Sequence, residues 1–150
     1  MPGLLNYTTT VSSARTIAEM QARLVRAGAT AVTLHYDGFG HTTGITFQVG
    51  TKYGPQQFTL TVDTQAVSEI LAGMRSRPYS VSERIKLVAA QAERTAWRVA
   101  RSWLEAQLAM VEIGLASLDQ VMLPYMHVGP QQTLYAAYQE SQSVLQIEAR

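Results

Sequence analysis

The sequence predicts an α+β protein: an antiparallel sheet of three to four strands packed on helices, followed by a long helix and short C-terminal helices. In three segments between Ala29 and Val62, apolar residues recur at every second position, which is the period of a half-buried strand. Residues 80–113 contain neither proline nor glycine and keep a helical period. The length of 150 residues fits one globular domain. We therefore expect a single domain, with the sheet and its helices in residues 1–78 and a helical part in residues 79–150.

The first 28 residues predict a strand and a helix. In LNYTTTV, residues 5–11, the larger side chains alternate as they do in a half-buried strand. Ser12 or Ser13 then caps a helix that ends at Gly28, because a serine hydroxyl accepts a hydrogen bond from a free amide of the first turn. The apolar residues of this helix recur at spacings of three and four and form one face: Ile17, Met20, Leu24 and Ala27.

Three strands follow, joined by tight turns in the segments DGFGH and TKYGPQ. Their large apolar side chains alternate: Val32, Leu34 and Tyr36 in the first strand, Ile45, Phe47 and Val49 in the second, and Phe58, Leu60 and Val62 in the third. Short connections predict an antiparallel meander. One face of it is apolar and lies toward the helix, and the other is rich in Thr and Gln and lies toward solvent or a partner.

A short helix and then a long one are predicted next. The short helix covers residues 65–74, and the segment RSRPYS ends it. Ser80 and Glu83 have the S-x-x-E spacing of a capping box, in which the side chain of each residue accepts a hydrogen bond from the backbone amide of the other. A long helix therefore begins near Ser80 and continues to about Gly114.

The last quarter of the chain predicts two further helices. Ser117 and Gln120 form a second possible capping box, for a short helix that ends before Pro124. A loop follows, and residues 133–146 form the last helix.

The composition indicates a cytoplasmic protein that associates with itself. Hydrophobic residues make up 47% and charged residues only 15% of the chain, so part of the surface is expected to be covered by a second copy. The sequence has no cysteine, which excludes disulfides and thiolate chemistry. It offers no signal peptide and no apolar run of membrane-spanning length, so we expect no membrane partner.

The basic residues are concentrated in the middle of the chain. Residues 75–101 carry seven basic and two acidic side chains, whereas residues 102–150 carry five acidic side chains and one basic one. Such an asymmetry is typical either of an anion-binding surface or of an antiparallel dimer in which the two regions pair.

Three arginines of this region have helical spacing. Arg94, Arg98 and Arg101 lie about one turn apart and can point together, so they are candidates for holding a phosphate while Trp97 or a tyrosine stacks on a base. A structural alternative remains, because Arg101 and Glu105 stand at i,i+4 and can form an ordinary helix pair. The sequence thus leaves open a nucleotide site and a structural polar strip.

The long helix also predicts an oligomer interface. Its apolar residues cover most of its circumference, and a helix of this kind is buried on two sides. We expect a homodimer or higher oligomer with an interface formed by Trp103, Leu104, Leu108 and Val111.

No catalytic or metal-binding pattern is found. The three histidines, His35, His41 and His127, lack the spacing of zinc ligands, and the serines lack a nucleophile elbow. The segment DGFG is too short for a phosphate-binding loop and predicts a hairpin turn. We therefore expect a non-enzymatic protein without cofactor or metal.

Four segments of the chain resemble a family of small phage and prophage proteins. They are LNYTTTV at 5–11, RAGA at 26–29, AWRVARSWLEAQLAMVEIGLASLDQVMLPYM at 96–126 and TLYAAY at 133–138. The resemblance covers most of the chain and is weakest between residues 38 and 90. It implies a virus-encoded accessory protein that acts in the cytoplasm of a host bacterium, and it carries no catalytic residue.

Accessory proteins of this kind act by binding. The resemblance favours a protein that counteracts host defence, either by sequestering a signal nucleotide or by blocking a host protein. The alternatives are a DNA-binding replication or recombination accessory protein and a structural virion component. Steep salt dependence of binding is expected only of the DNA-binding protein, because bound phosphates release counterions.

Overall fold

A computed structural model describes residues 4–74 and 81–149 of the chain. The elements in chain order are α1 (Ser13–Arg26), β1 (Ala29–Tyr36), β2 (Thr42–Thr51), β3 (Gly54–Thr61), α2 (Gln65–Met74), α3 (Val81–Glu112), α4 (Leu118–Met122), a 3₁₀ turn (Leu123–Tyr125), β4 (His127–Gly129), β5 (Gln132–Thr133) and α5 (Leu134–Glu148). The predicted α+β class is confirmed: a three-stranded antiparallel sheet, a two-stranded one, a long helix and short C-terminal helices.

The contacts divide the chain into two compact units. Unit 1 comprises Met1–Arg23 and Val62–Ala106, and unit 2 comprises Leu24–Thr61 and Gln107–Arg150. Each unit combines segments that are distant in sequence, and the expected single domain stays a prediction.

Unit 1 is helical, and its core forms on α3. Leu71 of α2 and Val88 and Ala92 of α3 are buried together, with Leu4 and Val67 packed against them. The other buried apolar residues of this unit lie on α1 and farther along α3: Ile17, Met20, Ala96, Trp97 and Leu104. Ile17 and Met20 are three positions apart, Val88, Ala92 and Ala96 are four apart, and Trp97 and Leu104 are seven apart, as the helical period requires of residues on one side of a helix.

The strand predicted for residues 5–11 is wrong, because the structure has turns there. Asn6 takes a left-handed conformation with φ 62°, which interrupts an extended strand. The carbonyl groups of Tyr7 and Thr9 both accept hydrogen bonds from the Gln91 side-chain amide, at 2.9 and 3.0 Å. Thr95 donates to the carbonyl of Asn6. The segment thus satisfies its backbone on polar side chains of α3 rather than on a neighbouring strand.

Unit 2 contains the sheet, in the order β1-β2-β3. Leu34, Ile45 and Leu60 form one apolar cross-strand row, and Val32, Phe47 and Phe58 form another. On β2 and β3 these side chains and Val49 are 0 to 5% exposed, and the two phenylalanine rings stack with centroids 5.4 Å apart. Leu24, Leu108 and Met122 are the other buried apolar side chains of this unit. The alternation that predicted the strands therefore separates a buried face from a polar one.

A second, smaller sheet lies within the segment predicted as a loop. β4 and β5 form a hairpin, and Met126 makes a bridge to Phe58 of β3. Three and two residues are too few to show a period of two in the sequence.

The predicted helix boundaries are close to the observed ones. The capping residue Ser80 lies outside the described residues, but α3 begins at Val81 and ends at Glu112, and Gly114 follows with φ 78°. The backbone N–H of Ser117 donates to the side chain of Gln120 at 3.4 Å, as expected for the second capping box. Thr133 caps α5 by accepting a hydrogen bond from the amide of Ala136.

Candidate functional site

The predicted arginine strip lies in unit 1 and makes contacts within it. Arg98 donates to Glu19 Oε2 at 2.6 Å and to the hydroxyl of Thr16 at 3.3 Å. Arg101 Nε lies 2.6 Å from the same carboxylate oxygen, and Arg101 Nη1 donates to Glu105 Oε2 at 3.0 Å. The Nε contact is an ion pair, since this N–H makes no hydrogen bond to the described residues. The expected helix pair of Arg101 and Glu105 is confirmed, and Glu19 is the partner that sequence reasoning missed.

Arg94 and Trp97 are placed differently from the other two. Arg94 donates to Gln91 Oε1 at 2.6 Å, so it orients the amide that holds residues 7 and 9. Trp97 is fully buried, and its Nε1 has no hydrogen-bond partner among the described residues. The indole ring is therefore part of the core and offers no exposed face on which a base can stack.

The electrostatics of the strip are nearly balanced. The hydrogen bond from Arg98 lowers the pKa of Glu19 from its ordinary value of 4.5, the charges of Arg98 and Arg101 lower it further, and burial acts in the opposite direction. Glu19 is thus held as a carboxylate between two guanidinium groups. An anionic ligand would compete with this carboxylate for the same guanidinium groups, and the nucleotide site stays a prediction.

The residues predicted to form an oligomer interface differ in exposure. Leu104 in unit 1 and Leu108 in unit 2 are each 1% exposed in a single copy of the chain. Trp103 and Val111 are half-buried. The two leucines are therefore core residues of the single chain, whereas Trp103 and Val111 keep exposed surface, and the interface on this helix stays a prediction.

The polar face of the sheet in unit 2 carries a continuous hydrogen-bonded row. Thr46 and Thr59 are cross-strand neighbours with their hydroxyl oxygens 2.6 Å apart. His35 Nε2 lies 2.6 Å from the Thr46 hydroxyl, and His127 Nε2 of β4 lies 2.6 Å from the Thr59 hydroxyl. We call these four residues the His–Thr row. Period-two alternation predicted a Thr-rich face here, but the part played by His127 depends on the unpredicted strand β4.

The His–Thr row constrains the protons of its members. Three contacts need three protons, and the two hydroxyl groups supply only two. One imidazole ring therefore donates from Nε2, and when all hydroxyl protons are used within the row, the other ring accepts at Nε2. The row is a hydrogen-bonding surface on strands whose other polar-face side chains are Thr, Gln and Ala.

The turn between β1 and β2 presents an exposed aromatic side chain. Phe39 is 90% exposed and stands between Gly38 and Gly40. Asp37 Oδ1 accepts hydrogen bonds from the amides of Phe39 and His41, at 2.8 and 2.9 Å. The amide of His41, followed by that of Phe39, lowers the pKa of Asp37, so the carboxylate stays charged and keeps the turn closed.

Unit 1 also contains an open cavity between α2 and α3, with a volume of about 460 Å³. Its apolar wall is formed by Ala72, Ile85, Val88 and Ala89, and its polar residues are Gln65, Ser68, Glu69 and Arg84. Arg84 donates to the carbonyl of Ala72 at 2.8 Å. This hydrogen bond joins α3 to α2, so Arg84 has a structural role in the cavity.

Two further classes of site were searched for within residues 4–74 and 81–149. No three His, Asp or Glu side chains there are close enough to hold a metal ion. No helix in this part of the chain is both long and apolar enough to cross a membrane.

Comparisons with known proteins give no relative: no family model, curated protein or solved structure matches the chain. The arguments about function therefore depend on the residues and on the geometry described above.

Proposed function

We propose that this chain is a non-enzymatic accessory protein of a phage that counteracts host defence by binding and blocking a host protein. The likeness of its four sequence segments to phage and prophage proteins supports the phage origin and the bacterial cytoplasm as the place of action. Blocking a protein is the better supported of the two defence hypotheses. Of the residues suited to a nucleotide, Arg98 and Arg101 contact carboxylates and Trp97 is buried, whereas the residues suited to a protein partner are exposed.

The observation that carries this proposal is the exposed ring of Phe39. Aromatic side chains are enriched among the residues that dominate binding energy, where they fill a pocket of the partner protein. The turn around Phe39 is fixed by the two hydrogen bonds to Asp37. A fixed turn lowers the entropy that is lost on binding, so the same buried area yields a higher affinity.

The His–Thr row supplies a polar surface on the same sheet. Hydroxyl and imidazole groups can donate and accept hydrogen bonds, and uncharged groups cost less to desolvate than ionised ones. A protein surface with exposed backbone or amide groups is a suitable partner for such a face. Phe39 is then the apolar anchor, and the polar face provides the surrounding contacts.

Sequestration of a nucleotide has weaker support. The guanidinium groups of Arg98 and Arg101 already contact Glu19 and Glu105, and Trp97 is buried. A phosphate would compete with these carboxylates and would find no exposed face of Trp97 beside it.

The test compares Phe39→Ala with Tyr53→Ala, its matched control. Tyr53 is 73% exposed in the turn between β2 and β3, so both variants remove one exposed ring from one turn of the same sheet. The tagged chain is expressed in host cells, and co-purified proteins are quantified by mass spectrometry. We expect one host protein in stoichiometric amount with the wild type and with Tyr53→Ala, at least tenfold less of it with Phe39→Ala, and a parallel loss of phage plating on a defended host.

Two results would contradict this proposal. The first is that Phe39→Ala captures the host protein and protects the phage as well as the wild type does. The second is calorimetric binding of a cyclic or linear nucleotide that is abolished in Arg98→Ala, which would favour sequestration instead.

A further inference from the structure

Strand β1 forms one edge of the three-stranded sheet. Among the described residues it pairs with β2 alone, so its outward backbone groups face no other strand. Edge strands of soluble proteins usually carry lysine, another charge or proline, which prevents pairing with a further chain. The β1 sequence ATAVTLHY contains Thr, Ala, Val, Leu, His and Tyr only. Nothing in its composition opposes the addition of another strand.

The apolar face of the sheet is also less completely covered at this edge. Val32 and Leu34 of β1 are only half-buried, although their row neighbours on β2 and β3 are 0 to 5% exposed. Both side chains have high β propensity and lie on the same face as the core. Further apolar side chains beside them would extend this core by one strand.

A second copy of β1 has the matching pattern. When two identical strands pair antiparallel about a two-fold axis at Thr33, Val32 of one copy lies opposite Leu34 of the other, and Ala31 lies opposite His35. Apolar residues then meet on one face and polar residues on the other, and no like charges are brought together. The pairing of β1 with β2 is regular from Ala31 to His35, with irregularities on both sides, and Thr33 is the centre of that stretch.

We propose that β1 pairs antiparallel with β1 of a second copy of this chain, so that two sheets join into one of six strands. This inference goes beyond the proposed function, because it concerns self-association and not the host protein. It assigns self-association to β1 rather than to the long helix, where Leu104 and Leu108 are buried in one copy.

The first experiment uses charge at the two-fold axis. Thr33 is exposed on the polar face, so Thr33→Lys and Thr33→Glu should leave the single chain folded, as circular dichroism will check. Directly opposed residues have Cβ atoms about 5 Å apart, so like charges there repel. Sedimentation should show a dimeric wild type, a dissociation constant at least tenfold higher for each variant alone, and recovery of the dimer when the two variants are mixed. Thr61→Lys, an exposed change on the same face of β3, should leave the dimer intact.

The second experiment uses the absence of cysteine from the sequence, which makes any introduced thiol unique. Only the residue on the axis faces its own copy, so Thr33→Cys should form a disulfide dimer under mild oxidation. Ala31→Cys and His35→Cys should crosslink with each other when mixed, and much more slowly alone. A monomeric wild type, or a dimer that Thr33→Lys leaves unchanged, would overturn the proposal and leave the edge to a different protein strand or to none.

Discussion

Arg98 donates a hydrogen bond of 2.6 Å to Glu19, a contact that joins the basic segment of α3 to α1 within unit 1. The same carboxylate oxygen lies 2.6 Å from Arg101 Nε. One carboxylate therefore contacts two guanidinium groups that are only 20% and 25% exposed, and Glu105 is a second partner of Arg101. The stability of the folded chain is therefore expected to depend on this shared carboxylate.

We expect Glu19→Gln to lower the free energy of unfolding by about 1 to 2 kcal/mol, because two partly buried cations lose their common carboxylate. Glu112→Gln is the matched control. Glu112 lies 3.8 Å from Arg26 in a pair with both side chains largely exposed, so its change should stay within about 0.5 kcal/mol. Urea denaturation of both variants measures the difference, and equal effects would refute the special role of Glu19.

The same carboxylate predicts a pH dependence. The pKa of Glu19 is lowered in the folded chain by the hydrogen bond from Arg98, so the unfolded chain binds the proton more tightly. The stabilisation by Glu19 is therefore complete above the ordinary pKa of 4.5 and is lost as the pH falls through the lowered value. The stability difference between wild type and Glu19→Gln should shrink along this acid limb. A difference that stays constant down to pH 2 would contradict the assignment.

Gly44 of β2 is expected to tolerate no side chain. A Cβ at this position would lie 2.8 Å from the backbone oxygen of Leu60, which cannot move without disturbing the β2–β3 pairing. Gly44→Ala should therefore cost about 1 to 3 kcal/mol in unfolding free energy. Gly50→Ala, on the same strand with open space around it, should change stability by about 0.5 kcal/mol or less. Thermal denaturation of the pair tests the prediction, which fails if the two variants melt together.

Thr59→Val should uncouple the two histidines of the His–Thr row. In the wild type, at a pH where both rings are neutral, we expect one ring protonated at Nε2 and the other at Nδ1, because the row needs a single imidazole donor. Valine has nearly the shape of threonine without its hydroxyl, so the variant removes the partner of His127 Nε2 and should cost about 1 kcal/mol. His127 should then take its usual Nε2–H form, and the tautomer of His35, which keeps its contact with Thr46, should no longer depend on that of His127. Nitrogen-15 spectra of the rings measure this, with Thr61→Val as control. Two Nε2–H rings in the wild type, unchanged by Thr59→Val, would show that the coupling is absent.

The alternation of side chains predicted β1, β2 and β3, since a sheet with one buried face imposes that period on the sequence. The same alternation gave a wrong prediction of a strand for LNYTTTV. There the hydrogen-bond partner of the backbone is Gln91, which no local pattern reveals. The strands β4 and β5 are too short to have a period.

The candidate site was predictable only in part. Helical spacing placed Arg98 and Arg101 on one face of α3 and predicted the contact of Arg101 with Glu105. It did not reveal Glu19, because this partner lies on another helix. The apolar pattern of α3 identified Leu104 and Leu108 as buried but did not show that one copy of the chain buries them.

The hydrogen bonds from Gln91 to the carbonyl groups of Tyr7 and Thr9 have a consequence for the order in which contacts form during synthesis. The contacts join residues 84 and 82 positions apart, and Asn6 donates to Ser102 across 96 positions. At about 5 to 20 residues per second, a ribosome needs roughly 4 to 19 s to make the intervening chain. The segment that emerges early therefore waits for its native contacts, and until α3 exists its carbonyl groups are hydrated by water alone.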